Sequence, residues 1–587
     1  MSRVSAAERA RLSLFLAHTL LRRLLGRITA NSFVSWLLSF GKPDRLVIAP
    51  QDLRTADATR ASEIYAGRFA FAGKIVVCDA RSPFDMAPPT EDWAVALFGF
   101  GWLRHLRAAD SSITRSNARA LLDEWMSATR ARNAYAWRAD VMARRILSWL
   151  SQSPLLLDDS DPEFYRRFMR SLARQVRQLR HTMGDARDGV PRLQASIALM
   201  YAALCMAGQQ RQIRPAAKRL NEELTRQILP DGGHISRNPG ALVELLLDLL
   251  PLRTLFTARN IAPPAALLNA IDRMMPMLRF FRHGDGNLAL FNGMGPTPAD
   301  LLTTILVYDD ARGAPLTNAP HSGYQRVENG GSLVVMDTGG PAPFTVSQEA
   351  HAGCLAFEFS TKSHRIVVNC GVPVISRDNW RQPARATAAH STATLNDTSS
   401  CGFLESRPIR RMLQGVPIVG GPRKVTITRE EHPSGIVLRS SHDGYAEAFN
   451  IVHHRALVLS KDGQKLDGED LFMPARGEAP VPGKDQFAVR FHLHPSIKAN
   501  RLADGHSAML LMPNKEVWTF DGYEDPVDIE ESVYLAGAQG PRRTSQIVIY
   551  GRARKAMRVQ WTLAATPSGA PVAPARRTRG EEPELPL

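Results

Sequence analysis

Three polar side chains, His234, Arg237 and Asn238, follow an Asp231-Gly232-Gly233 turn. A guanidinium can grip a carboxylate through two parallel hydrogen bonds. An imidazole titrates near neutrality. Together they could bind an acidic ligand and move a proton. The same stretch also reads as an ordinary helix start, with Asn238 as N-cap and Pro239 in the first turn. A denser cluster follows later in the chain: Glu349-Ala-His351-Ala-Gly-Cys354-Leu-Ala-Phe-Glu358-Phe, then Arg365-Ile-Val-Val-Asn369-Cys370-Gly371, then Arg385-Ala-Thr387-Ala-Ala-His390-Ser-Thr392. Imidazole, carboxylate and thiol groups of this kind serve proton transfer or metal binding. His492 and His494 are spaced to share one strand face, but no third ligand stands near them, and a structural role fits them better. Tyr324 could face a cleft or, by its setting at a strand start, pack on a sheet. The chain carries no P-loop, no GxGxxG after a strand, no GxSxG and no HExxH, so the nucleotide, serine-hydrolase and zincin motifs are absent.

These side chains need a scaffold, and the hydrophobic periodicity supplies two kinds. From about residue 90 to 310 the period is helical. Met142, Ile146, Trp149 and Leu150 fall on one stripe, as do Leu193, Ile197, Met200 and Leu204. Leu242, Leu245, Leu246 and Leu249 form another, and Leu267, Ile271, Met274 and Leu278 a fourth. Pro215 suits a helix first turn, Pro230-Asp231-Gly232-Gly233 is a breaker, and Pro263-Pro264 precedes a new start. Helices with short breaks predict stacked antiparallel hairpins. After about residue 320 the period becomes two. Leu355, Phe357 and Phe359 alternate with Ala356, Glu358 and Ser360. Strand-like runs continue to Val559–Leu563, separated by turns such as Asn329-Gly330-Gly331 and Lys461-Asp462-Gly463. Helices first and strands later exclude a βαβ fold and predict an antiparallel β domain of stacked sheets.

A chain of 587 residues exceeds one ordinary core. Its formal charge of +16 favours acidic partners without choosing among nucleic acid, anionic lipid and anionic polysaccharide. The arginine-rich run Arg166–Arg180 is interleaved with apolar positions and reads as a solvated helix face, so no nucleic-acid partner is expected. Five scattered cysteines without a CxxC pair argue against a disulfide scaffold or zinc ribbon. No apolar run reaches the length of a membrane span. Leu12–Leu25 is interrupted by His18, Arg22 and Arg23, and reads as an amphipathic helix rather than a signal sequence. The segment from Thr566 is rich in Pro, Arg and Glu and is expected to be disordered.

The three-part cluster resembles the heparinase II/III family. Its members carry His-x-His-x-Asp entering an LSFEL strand, then Asp-Pro-Gly at a strand end, then Arg-x-Thr-x-x-His-Asn-Thr. The order and approximate spacing match here, as do Val489-Arg490-Phe491-His492-Leu493-His494-Pro495 and the segment Asp231–Asn238. The likeness runs from about residue 60 to 565. It implies a multidomain fold: an incomplete α/α toroid over 61–320 and an antiparallel β-sandwich over 321–565, flanked by an amphipathic extension over 1–60 and a tail over 566–587. It also implies β-elimination on uronic-acid polysaccharide in a cleft between the two halves, with an acidic polysaccharide as partner. A base removes the proton α to the uronate carboxylate, donors neutralise that carboxylate, and an acid protonates the leaving oxygen. Carried over by position, the catalytic candidates are His234, Arg237 and Asn238 from the toroid, with Glu349 and Arg385 from the β domain. The metal candidates, for zinc, are His351, Asn369 and His390, with Cys354 or Cys370 as substitutes.

Departures from the family pattern are specific. Glu349 stands where relatives have a catalytic His, and Asn369 where they have an Asp, a weaker zinc ligand as an amide. Ile235–Leu242 contains no Tyr, although relatives take their catalytic Tyr from this region. The Asn-Asn-His neutraliser has no clear match near Arg192 and Gln194. Two readings therefore stand beside the lyase: a catalytically degenerate polysaccharide-binding or cell-envelope protein of the same fold, and an enzyme on a different uronate. The family is usually exported, whereas no clear signal peptide precedes the domain.

Overall fold

The computed structural model describes residues 45–566 except 80, 128–132, 309–312, 374–377, 414 and 478, together with Ser13 and Ala17. Apart from Ser13 and Ala17, the expected amphipathic helix over Leu12–Leu25 lies outside the described residues, as does the tail beyond Thr566.

The helical half forms where the stripes predict it. Helices Ala139–Ser151, Val190–Cys205, Pro239–Ala258 and Ala265–Phe280 carry the four periodic sets. The helix Val190–Cys205 packs against those at Ala139–Ser151, Gln210–Gln227 and Pro239–Ala258, as stacked hairpins require. Pro215 is not at a helix start. It sits inside Gln210–Gln227, whose first turn begins earlier. The long charged face of that helix shows no apolar onset, so the proline was the strongest local signal and placed the start too late. A small hairpin, β1 (Arg68–Phe71) and β2 (Lys74–Val77), precedes the helical stack.

The C-terminal half is an antiparallel β-sandwich. Its strands are β3 (Asn318–Ala319), β4 (Tyr324–Asn329), β5 (Ser332–Asp337), β6 (Phe357–Thr361), β7 (His364–Val368) and β8 (Ala393–Leu395). They continue with β9 (Gly402–Phe403), β10 (Ile418–Gly420), β11 (Val425–His432), β12 (Gly435–His442), β13 (Ile451–Ser460), β14 (Lys465–Pro474) and β15 (Gln486–Leu493). The last are β16 (Lys498–Arg501), β17 (Ser507–Leu511), β18 (Val517–Asp521), β19 (Val527–Tyr534), β20 (Arg542–Arg552) and β21 (Arg558–Ala565). One sheet runs β11-β12-β13-β14-β21-β18-β17-β16, and the other β19-β20-β15-β7-β6-β5-β4-β3, with β8 pairing β15.

The second sheet is covered on both sides. In β5, Val334 and Met336 join the core between the sheets, while Leu333 and Val335 join the core of the helical half. The strand is therefore buried along its whole length. The polar face of β6 is not a wet face. Glu358 and Ser360 point at the helical half, where His283 Nε2 meets Glu358 Oε2 at 3.0 Å and His283 Nδ1 meets Ser360 Oγ at 2.8 Å. Alternation marks two faces but does not say what covers the polar one. Leu355, expected to begin this strand, is instead in a turn with φ +60°.

Inside the sandwich, Phe357 stacks on Trp561 with centroids 5.5 Å apart. Beside them lies a buried ion pair. Asp470 accepts hydrogen bonds from Arg455 Nε at 2.8 Å, His453 Nε2 at 2.7 Å and Trp561 Nε1 at 3.0 Å. Removing the carboxylate strands a buried guanidinium, so Asp470→Ala is expected to cost about 3–5 kcal/mol in urea unfolding. A loss below about 1 kcal/mol, the scale of an exposed pair, would show that Arg455 is compensated without it.

Candidate functional site

A cleft of about 430 Å³ opens between the halves. The helical side contributes Asp188, His234, Asn238, Glu244 and Asn292, and the β side contributes Gln348 and Glu349 from the loop before β6. Inter-domain clefts of this size commonly hold ligands. Two long helices, Val190–Cys205 and Pro239–Ala258, begin at its wall.

His234 borders the cleft, yet neither ring nitrogen is available to a ligand. The Ser236 backbone N–H donates to Nδ1 at 3.1 Å, and Ser236 Oγ lies 2.7 Å from the same atom. Nδ1 therefore carries the lone pair, and Nε2–H donates to Gln227 Oε1 at 2.9 Å. The amide of Gln227 is oriented by its own bond to Glu223 Oε2 at 2.7 Å. Burial lowers the His234 pKa to about 3, so the ring is neutral near pH 7.

Arg237 was expected to meet a substrate carboxylate. It is instead a bolt between the halves. Its Nε donates to Ser322 O at 2.8 Å, Nη1 to Gly340 O at 2.7 Å and Gly339 O at 3.4 Å, and Nη2 to Gly323 O at 3.0 Å and Asp337 Oδ1 at 2.5 Å. All five N–H groups of the guanidinium are used. Burial pulls its pKa down, but Asp337 more than offsets this and keeps the group charged. The guanidinium also lies 4.7 Å over the Tyr324 ring. A Cβ on Gly339 would approach Nη2 to 2.5 Å, so the seat demands glycine. Tyr324 is packed inward, as its strand setting suggested: its hydroxyl donates to Arg237 O at 2.7 Å, and burial raises its pKa above the usual phenol range. Asn238 caps its helix by accepting from Gly240 N at 2.8 Å, while still bordering the cleft.

On the β side, Glu349 borders the cleft and is paired with Arg381. Arg385 is buried and binds main-chain carbonyls only: Ala350 O at 2.8 Å, Ser347 O at 2.8 Å and Val416 O at 2.7 Å. Its guanidinium stacks 4.6 Å over Phe403. It shapes the loop that carries Glu349 and does not reach into the cleft itself.

His351 and His390 meet, as the motif order implies. His390 Nδ1 donates to Ala386 O at 2.8 Å, so its Nε2 is the acceptor for His351 Nδ1–H at 2.9 Å. Burial lowers both pKa values, that of His390 to about 4. A tetrahedral zinc would need both lone pairs free and the two nitrogens about 3.3 Å apart. Asn369, the third candidate, is spent elsewhere. Its Oδ1 accepts from Ser391 N at 3.0 Å, and its Nδ2 donates to Glu358 Oε1 at 3.2 Å. Cys354 points at Gly339 O at 3.5 Å, and Cys370 lies 3.6 Å from His492 Nδ1. Among the described residues no group of three His, Cys, Asp or Glu side chains could hold a metal ion. The residues present do not fit a zinc site in this arrangement. Among the described residues, His351 Nε2 is buried without a hydrogen-bond partner, but no Asp, Glu or Cys joins the two rings as a third ligand. His492 and His494 have partners at both ring nitrogens, Ser532 and Ala388 for the first and Ser496 and Arg365 for the second.

Asn292 joins these parts and was not anticipated from the sequence. Its Nδ2 donates to Tyr324 Oη at 2.7 Å, and its Oδ1 accepts from His351 N at 3.2 Å. The local signal was only an Asn-Gly pair, which ordinarily means a turn. Its φ of +46° and that of Gly293 at +91° are that turn.

Helical toroid, sandwich and intervening cleft define a class. The profile described as heparinase II/III-like, C-terminal, matches residues 311–562, and the chain belongs to the heparinase II/III-like family. Heparinase III superposes with a TM-score of 0.68 at 11% identity, covering 94% of this chain and 91% of that one. A mutant of the heparan sulfate lyase HepC from Pedobacter heparinus superposes with a TM-score of 0.61 at 16% identity, covering 94% and 88%. At these identities the likeness shows the fold alone. Among named proteins, the chain is 31% identical over 545 residues to FtsZ-localized protein C of Caulobacter vibrioides (strain NA1000 / CB15N), covering 90% of this chain and 91% of the relative.

Proposed function

We propose that this protein binds glycan without cleaving it, on a fold shared with polysaccharide lyases, and acts at the site of cell division. The observation that carries the first part is saturation. β-Elimination needs a free base, a free acid and donors aimed at a carboxylate. His234, Arg237 and Arg385 give every polar atom to protein partners, and Glu349 is held by Arg381. No Tyr borders the cleft among the described residues. The open cleft itself supports retained binding. The second part is supported by the likeness over nine-tenths of the chain to a protein named for localisation with FtsZ.

Two measurements test this. Incubation with heparan sulfate, alginate and polygalacturonate, followed by absorbance near 232 nm, is expected to give no rise above buffer. A rise abolished by Glu349→Ala or His234→Ala would restore the lyase. A fluorescent fusion in the source cell is expected to form a midcell band together with FtsZ, and an even distribution through the cycle would remove the division role.

A further inference from the structure

Charge around the cleft is distributed differently from charge on the whole chain. The net +16 resides largely elsewhere. Exposed Arg166, Arg170 and Arg174 line helix Pro162–Thr182, and Arg211 and Arg214 line helix Gln210–Gln227. In the cleft the only bordering cation among the described residues is Arg187, against Asp188, Glu244 and Glu349. Each carboxylate is matched by a guanidinium that is not itself part of the lining. Asp188 takes Arg226 at 3.1 Å and Thr345 Oγ1 at 2.8 Å, Glu244 takes Arg54 at 3.4 Å, and Glu349 takes Arg381. The buried guanidiniums of Arg237 and Arg385 are turned into the protein, with every nitrogen bonded there.

A site for a polyuronate needs the reverse arrangement, with unpaired cations facing the ligand, because a guanidinium already paired with a carboxylate adds little net field to a cleft. Carboxylates paired in this way are instead acceptors for hydroxyl groups. Between them the wall is aliphatic, from Val190, Pro191, Val243, Met294, Pro296 and Val346. Such a wall suits the C–H faces of a sugar ring and offers nothing to a repeated anion.

We propose that the cleft takes an uncharged glycan, with Asp188, Glu244 and Glu349 as the residues that exclude uronate polymers. This rests on the reading that the cleft binds glycan at all. The five native cysteines are buried, so a cysteine introduced as Gln348→Cys at the cleft wall can be labelled selectively with an environment-sensitive dye in the full chain. The labelled protein is titrated with hexamers of N-acetylglucosamine and of glucose, and with hexamers of galacturonate and of heparosan, at low and at 0.3 M salt. Calorimetry on the unlabelled chain repeats each titration.

A neutral hexamer is expected to saturate the signal with a Kd insensitive to salt, and the uronate hexamers to bind at least about tenfold more weakly. Glu349→Lys is expected to narrow that gap by about threefold or more. Uronate hexamers that bind the cleft as tightly as the neutral ones, with affinity lost in Arg187→Glu, would overturn the proposal and leave glycan binding standing. No response to either class would overturn both.

Discussion

Lowering the pH from 7 to about 5 is expected to take a large part of this protein's stability away, well before its carboxylates titrate. His234, His351, His390, His442 and His492 are all buried in the folded chain. Burial lowers every one of their pKa values: His234 and His492 to about 3, His390 to about 4, and His351 and His442 well below the ordinary value. In the unfolded chain each titrates near 6.5. Below that pH the unfolded state binds more protons than the folded state, so stability falls as pH falls. The contribution of these rings is complete above about pH 6.5 and is lost progressively as pH falls, toward about 3 for His234 and His492 and about 4 for His390. Each group fully held neutral contributes a slope of about 1.4 kcal/mol per pH unit. At pH 5 His234, His390 and His492 amount to roughly 6 kcal/mol, with His351 and His442 acting in the same direction, against a typical total of about 5–15 kcal/mol. Urea midpoints measured from pH 8 to 4.5 are expected to stay level above pH 7 and to drop steeply below 6.5. A flat profile down to pH 4.5 would mean that the rings gain protons inside the fold, and the tautomers assigned to His234 and His390 would then be wrong.

Arg237→Ala is the second large effect, expected to destabilise the protein by about 3–5 kcal/mol. The substitution strands Asp337, a buried carboxylate, and leaves the carbonyls of Ser322, Gly323 and Gly340 without their donor. Arg237→Lys is expected to recover little, because an ammonium cannot reproduce a planar fork that reaches Ser322, Gly323, Gly340 and Asp337 together. The bolt joins a helical loop to the turn before β4 and the end of β5, so its loss is also expected to split one unfolding transition into two. Thermal and urea unfolding followed by tryptophan fluorescence read both outcomes. The experiment also separates the two roles considered for this residue. A carboxylate-binding arginine at a ligand site would leave the unliganded protein's stability within about 1 kcal/mol when replaced. A result in that range would return Arg237 to the cleft and reopen the lyase assignment.

Much of the architecture was legible from periodicity alone. Stripes at Leu193–Leu204 and Leu242–Leu249 are helices, and the two-residue alternation from Phe357 onward is a sandwich strand, because these patterns depend on neighbours a few positions away. The motif order also brought His351 and His390 together at 2.9 Å, and put Glu349, His234 and Asn238 around one cleft. What those side chains do there was not legible. A buried guanidinium and a ligand-binding one have the same letter in the sequence, and Arg237 became a bolt through partners 85 to 103 residues further along. His234 was committed by Gln227, and Glu358 by His283, contacts that only the closed toroid and the docked sheet create. Local pattern determined which elements form, since backbone geometry repeats over a few residues. Chemical availability was decided by the tertiary fold, since a polar group removed from water bonds to whatever the packing brings beside it.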